Sequence, residues 1–206
     1  MSKRVLMLVG EFSEEYEIFV FQQALEAVGH KVDIVCPDTA KGYRLKTSVH
    51  DFGMEGVLTY TEHRGHDIEI TQSFDAVDTA DYDAVYIAGG RGPEYIRTFP
   101  RVQEIVREFH RGGKPIASIC HGVQVLVAVP EVLEGKRVAG LFTCEPEVAL
   151  TGGTFVKIGP TDALRDGNLV TANGWTALAA FMREVLHVLG TEIVHHPVGA
   201  LDRAAE

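Results

Sequence analysis

The residues best equipped for chemistry lie in the stretch Lys114 to Val129, KPIASICHGVQVLVAV. Cys120 offers a nucleophile and His121 an adjacent imidazole, with the small residues Ser118 and Gly122 on either side. The pattern Ser118-x-Cys120-x-Gly122 is a cysteine version of the nucleophile elbow, a sharp turn between strand and helix that leaves room only for small neighbours. The apolar run Pro115 to Ile119 predicts a buried strand entering the turn. Val123, Leu126 and Val127 predict a helix leaving it. Thiolate is the reactive form of cysteine, and a helix N-terminus together with a neighbouring imidazole can bring a thiol pKa from about 8.5 to well below 7. Backbone N–H groups at the helix start can also steady an oxyanion. The expectation is an activated cysteine held in a sparsely populated backbone conformation.

Other elements must bring partners to that turn. Arg4 to Val9, RVLMLV, reads as a central parallel strand, and Glu17 lies near the start of the helix that follows it. Ser13 is expected to cap this helix, with Glu14 and Glu15 in its first turn and a stop at Gly29. Lys31 to Val35 is a second strand. Ala84 to Ala88 is a third, running into Gly89-Gly90-Arg91-Gly92-Pro93-Glu94, where glycines let backbone approach a ligand closely. That turn lacks the Lys-Ser/Thr of a phosphate-binding loop and a spaced G-x-G-x-x-G. Pro100 to His110 predicts an amphipathic helix and Ala177 to Leu189 a final one. Short strands are expected at Arg137 to Ala139, Thr154 to Val156 and Asn168 to Thr171. Between Asp38 and Asp81 the chain is irregular, and Val57 to Tyr60 with Asp67 to Ile70 suggests a hairpin added to the main sheet. Buried strands alternating with helices predict an α/β fold whose ligands bind beyond the carboxyl ends of the strands. Glu17, Gly89-Gly90 and Cys120-His121 all fall at such ends, so the fold is expected to gather them.

The 206 residues suffice for one domain, read as residues 1–190 followed by a tail, 191–206. A net charge of −10 argues against a nucleic-acid partner. No apolar run approaches the roughly 20 residues of a membrane span, and the opening MSKRVLMLVG turns polar too soon for a secretory signal. Cys36, Cys120 and Cys144 are an odd set without metal-ligand spacing, as expected of reduced thiols in the cytoplasm, and Cys36 and Cys144 read as core residues. The pair His63-x-x-His66 could ligate a metal but is read as part of a polar hairpin or an oligomer contact, so no metal or cofactor is expected. Trp175 reads as packing at the start of the last helix.

The combination of an early EEYE after the first strand, then GGRGPE, then ASICHG resembles the ThiJ/PfpI superfamily, over roughly Arg4 to Gly190. The segments YTEHRGHDIEI and DGNLVTANGW are most similar to its glyoxalase III-type members. The resemblance implies a flavodoxin-like three-layer sandwich around a mainly parallel sheet, akin to the class I glutamine amidotransferases. It also implies roles: Cys120 as nucleophile, Glu17 as the carboxyl group against its sulfur, and His121 as the adjacent histidine. Gly89 and Gly90, with the backbone of His121, would form the oxyanion site. Glu94 would reach His121 from a neighbouring subunit of a homo-oligomer, and Arg91 would contact substrate or that subunit. One departure stands out: plant relatives carry Gly-His-Pro after the late tryptophan, where this chain has Trp175-Thr176-Ala177-Leu178.

Three functions are compatible with these residues. The first is a cofactor-independent glyoxalase III or deglycase acting on a small reactive carbonyl. The second is a cysteine peptidase or amidase, against which stands the difficulty of a base directly following its nucleophile in a tight turn. The third is a redox sensor or holdase that uses oxidation of Cys120. A glutamine amidotransferase would need a His-x-Glu after Cys144, and none is present.

Overall fold

The computed structural model describes residues 1–196. In chain order the elements are β1 (Arg4–Leu8), β2 (Ser13–Glu14), α1 (Glu15–Ala27), β3 (Lys31–Val35), β4 (Arg44–Phe52), β5 (Tyr60–Glu69) and β6 (Ala84–Ile87). There follow α2 (Gly92–Ile96), α3 (Pro100–Arg111), β7 (Ile116–Ile119), α4 (Val123–Val127), β8 (Arg137–Val138) and α5 (Glu145–Ala149). The last are β9 (Thr154–Phe155), β10 (Ala163–Asp166), β11 (Leu169–Ala172) and α6 (Leu178–Val188). Six strands form the central sheet in the order β10-β11-β7-β6-β1-β3. All neighbours are parallel except β10 against β11. Helices α1 and α6 pack together on one face, and α2, α3 and α4 cluster on the other, giving the expected three layers.

The four central strands are buried on both faces, so they read as apolar runs rather than alternating ones. Phe21 of α1 stacks on Tyr86 of β6 with ring centroids 3.7 Å apart, and the Tyr86 hydroxyl donates to the Glu17 carbonyl at 3.0 Å. This contact fixes the first turn of α1 over the carboxyl ends of β1 and β6. Among the described residues no helix is long and apolar enough to cross a membrane.

Two expectations are corrected, and two elements went unread. Ser13 does not cap α1: it belongs to β2, and its Oγ accepts from Gly10 N–H at 3.1 Å, while Glu14 caps the helix by accepting from Tyr16 N–H. The irregular third is one long antiparallel hairpin, β4 with β5, joined to β2 as a separate three-stranded sheet. Val57 to Tyr60 and Asp67 to Ile70 thus fall around the two ends of a single strand, β5. Its partner β4 (RLKTSVHDF) went unread because Thr47, Ser48 and His50 fill its buried positions with polar groups. The short helix α2 also went unread, beginning at Gly92-Pro93, where proline suits the first turn. Of the expected tail, residues 197–206 lie outside the described residues.

Candidate active site

Cys120 directly follows β7 with φ +56°, a left-handed conformation that costs a non-glycine residue roughly 1–2 kcal/mol. A single 3₁₀ turn, Cys120–Gly122, leads into α4. A Cβ on Gly122 would stand 2.6 Å from the Ile87 carbonyl oxygen and 2.9 Å from Ser118 Oγ, which is why the elbow needs a residue without a side chain there. The side chain of Cys120 is thereby aimed at the first turn of α1 and the end of β6.

Glu17 is fully buried. Its Oε2 accepts from Gly89 N–H at 2.7 Å, and its carboxyl group lies against the Cys120 thiol. A Cβ on Gly89 would sit 2.5 Å from Cys120 Cβ and 2.6 Å from Glu17 Oε2, so only glycine allows the two groups to face each other. The Gly89 N–H is spent on this carboxyl group and is not free for an oxyanion. The N–H groups that surround the sulfur are those of Gly90 and His121. Gly90 adopts φ +74°, and its turn is laced to the segment before α1 by Glu14 N–H to Gly89 O at 3.1 Å and Arg91 N–H to Phe12 O at 3.0 Å.

Burial, reinforced by the charge of Glu14, holds the Glu17 carboxyl well above the usual carboxylate range. Burial and then the charge of Glu17 push the Cys120 thiol up as well, against the pull of the two N–H groups. This reverses the expectation of a thiol well below 7. The helix behind the turn is only the five residues of α4, and burial drops the His121 imidazole to about 4, with the nearby charge of His50 adding to the effect. Neither expected positive charge is there. Glu17 and Cys120 form instead a buried pair that resists losing both protons. His121 Nδ1 is 3.7 Å from Sγ, a long contact, and is neutral across the physiological range.

Glu94 is exposed within a single chain, on the rim of a cavity of about 350 Å³ shared with Glu11, Phe12, Arg91 and Tyr95. Arg91 pairs with Glu62 at 2.8 Å and covers the Phe12 ring at 4.5 Å. Four residues around the site were not singled out in the sequence: Glu14, His50, Tyr60 and Glu62. His50 is 4 % exposed, with Nδ1 2.6 Å from Glu14 Oε2 and Nε2 3.2 Å from Glu62 Oε2. With a carboxylate at each nitrogen, its pKa is raised despite the opposing effect of burial. The Tyr60 ring meets both the His50 ring at 5.4 Å and the His121 ring at 5.8 Å, so it bridges this ionic chain to the nucleophile turn. Trp175 does more than pack: its Nε1–H donates to the His50 carbonyl at 2.9 Å, tying the start of the last helix to the hairpin.

Cys36 and Cys144 are buried, and burial pushes their thiols up to about 12 and about 11, as suits core residues. The His66 ring lies 3.2 Å from Glu15, which also accepts from His66 N–H at 2.6 Å. Among the described residues no three or more His, Cys, Asp or Glu side chains converge on a metal-sized site.

Residues 3–188 match the DJ-1/PfpI family. The chain is 42% identical over 193 residues to Protein DJ-1 homolog D of Arabidopsis thaliana, covering 93% of this chain and 49% of that one. It is 30% identical to a deglycase of Pyrococcus abyssi, covering 90% of this chain and 99% of the relative. The chain spans about half the length of the plant relatives it matches. The crystal structure of Drosophila melanogaster DJ-1beta shares the fold with a TM-score of 0.73 at 24% identity, over 93% of this chain and 92% of that one.

Proposed function

The chain belongs to the DJ-1/PfpI family, and from that premise we propose that it is a glyoxalase III- or deglycase-type enzyme whose Cys120 attacks the aldehyde of a small 2-oxoaldehyde such as methylglyoxal. The observation that carries this reading is the buried Glu17–Cys120 pair with the N–H groups of Gly90 and His121 around the sulfur. As the sulfur attacks C1, its proton moves onto Glu17, and the carboxylic acid then protonates the alkoxide to complete the hemithioacetal. Glu17 or the neutral His121 removes the C1 proton, giving an enediol, and after exchange with solvent at that base a proton is delivered to C2. The product is a thioester of 2-hydroxypropionate on Cys120. Water cleaves it, releasing lactate and restoring the thiol. The net change is addition of one water to methylglyoxal, with no external oxidant or reductant.

The name deglycase, carried by relatives at about 30% identity, fits the same nucleophile acting on the adduct of a 2-oxoaldehyde with an amine. The long His121–sulfur contact weighs against acyl transfer from a peptide, which needs that histidine as a close base. Glu94 of a neighbouring copy would approach His121 in a homo-oligomer and orient its ring. The test is lactate formation from methylglyoxal without glutathione or added metal, alongside release of amine from a methylglyoxal adduct. Turnover of either substrate is expected, and a folded, reduced enzyme inert to both would overturn the proposal.

A further inference from the structure

Glu17 has a second carboxylate beside it. Glu14 is the N-cap of α1 and Glu17 the third residue of that helix, so the two side chains leave the same first turn, where positions three apart are neighbours. Gly89 fastens both to one peptide: its N–H donates to Glu17 Oε2 at 2.7 Å, and its carbonyl accepts from Glu14 N–H at 3.1 Å. Both residues are buried, so water does little to weaken the effect of one charge on the other.

Glu14 is itself the inner end of a chain of groups. Its Oε2 accepts from the backbone N–H of His50 at 2.8 Å and stands 2.6 Å from His50 Nδ1. The other ring nitrogen, Nε2, stands 3.2 Å from Glu62 Oε2, and Arg91 takes Glu62 Oε1 at 2.8 Å. A carboxylate oxygen can only accept, so the ring that satisfies both neighbours carries two N–H groups and a positive charge. With that charge in place, Glu14 and His50 offset each other beside Glu17. With a neutral ring, the Glu14 charge stands uncompensated, and it favours a protonated Glu17.

We propose that Glu14 and His50 are positioning residues for the proposed reaction, Glu14 by setting how tightly the Glu17–Cys120 pair holds its proton and His50 by offsetting the charge of Glu14. This rests on the reading of Cys120 as the carbonyl-attacking nucleophile. The rise of Cys120 reactivity with pH is then blunted where His50 loses its proton. The other groups facing the chain and the pair titrate outside pH 6 to 9. Tyr60 and Tyr86 are raised from 10, Cys144 is pushed up to about 11, and His121 is lowered to about 4.

The test has two arms. The first reads the thiol without turnover. Alkylation of Cys120 by iodoacetamide is followed by peptide mass spectrometry from pH 6 to 9 in wild type, His50→Gln and Glu14→Gln, while NMR of the imidazole locates the His50 titration. One charge acting on a buried neighbour changes the rate by about tenfold. His50→Gln is expected to react about tenfold more slowly than wild type at pH 6, with the gap closing as pH rises through the His50 value. Glu14→Gln is expected to react about tenfold faster than wild type above that value. Should Glu14→Gln not fold, Glu62→Gln takes one carboxylate from the ring, and the His50 titration and the blunted step in alkylation should move together to lower pH. In the second arm, His50→Gln should lower kcat for methylglyoxal about tenfold at pH 6, with KM within about twofold of wild type. Alkylation rates unmoved in the folded variants, or slowed in both, overturn the positioning role whatever the turnover. The expected alkylation shifts in a protein inert to methylglyoxal and to its amine adduct overturn the proposed reaction and leave the positioning role standing.

Discussion

In the proposed reaction Glu17 stores the proton that Cys120 gives up. Glu17→Gln cannot accept it, and kcat is expected to drop by about 10²- to 10⁴-fold. The same change removes the carboxylate charge that raises the thiol. Alkylation of Cys120 by iodoacetamide is therefore expected to reach its midpoint at lower pH than in the wild type, and an unmoved midpoint would show that the two groups do not share a proton. His50 makes a second residue-level prediction. Its folded-state pKa is raised above 6.5, so its contribution to stability is fully present below about pH 6.5 and is lost as pH rises through the folded value. Thermal unfolding of His50→Gln against wild type should show a deficit of about 2 kcal/mol at pH 6, moderated by the partial exposure of Glu62, and a smaller one at pH 9. A deficit that grows with pH would mean that His50 is neutral in the folded protein. Cys120, Glu17 and the glycine turn were legible because each comes after a strand that announces itself. The direction of the thiol's shift was not, because it depends on burial, on the shortness of α4 and on a histidine that stays neutral. None of these is written in the motif.

At the scale of elements, three segments meet at Cys120: the elbow after β7, the glycine turn after β6 and the start of α1. Their spacing leaves no room at Gly89. Gly89→Ala should keep the fold, since its neighbours in β6 are set by the core, yet push Cys120 and Glu17 apart and cost about 100-fold in kcat/KM. Circular dichroism with single-turnover kinetics separates that outcome from unfolding. The hairpin is held to the last helix by Trp175, and Trp175→Phe removes one partly buried hydrogen bond. That is worth about 1 kcal/mol, or roughly 2–4 °C in Tm for a domain of this size. β1, β6 and β7 could be read as strands because parallel strands buried on both faces are continuous apolar runs. β4 could not, since the ionic chain through His50 places polar residues where hydropathy looks for apolar ones. Glu14, Tyr60 and Glu62 stood in segments that were read, but without β4 and its His50 nothing gave them a place at the site.

For the whole molecule, the proposed role of Glu94 requires a second copy. Light scattering is expected to report an oligomer, with specific activity falling on dilution. Glu94→Ala should lower kcat about tenfold while leaving Cys120 alkylation unchanged, because Glu94 stands at the rim and not against the sulfur. With a net charge of −10, association should strengthen as salt rises from about 10 to 150 mM, where screening shortens the range of repulsion. Activity independent of concentration in a monomer would confine the chemistry to one chain. The covalent and proton-transfer steps proposed at Cys120 are tested by following methylglyoxal by ¹H NMR in D₂O with wild type and Cys120→Ala. Lactate carrying deuterium at C2 is expected from the wild type, and no lactate above background from the variant. Lactate produced equally by Cys120→Ala would contradict these steps.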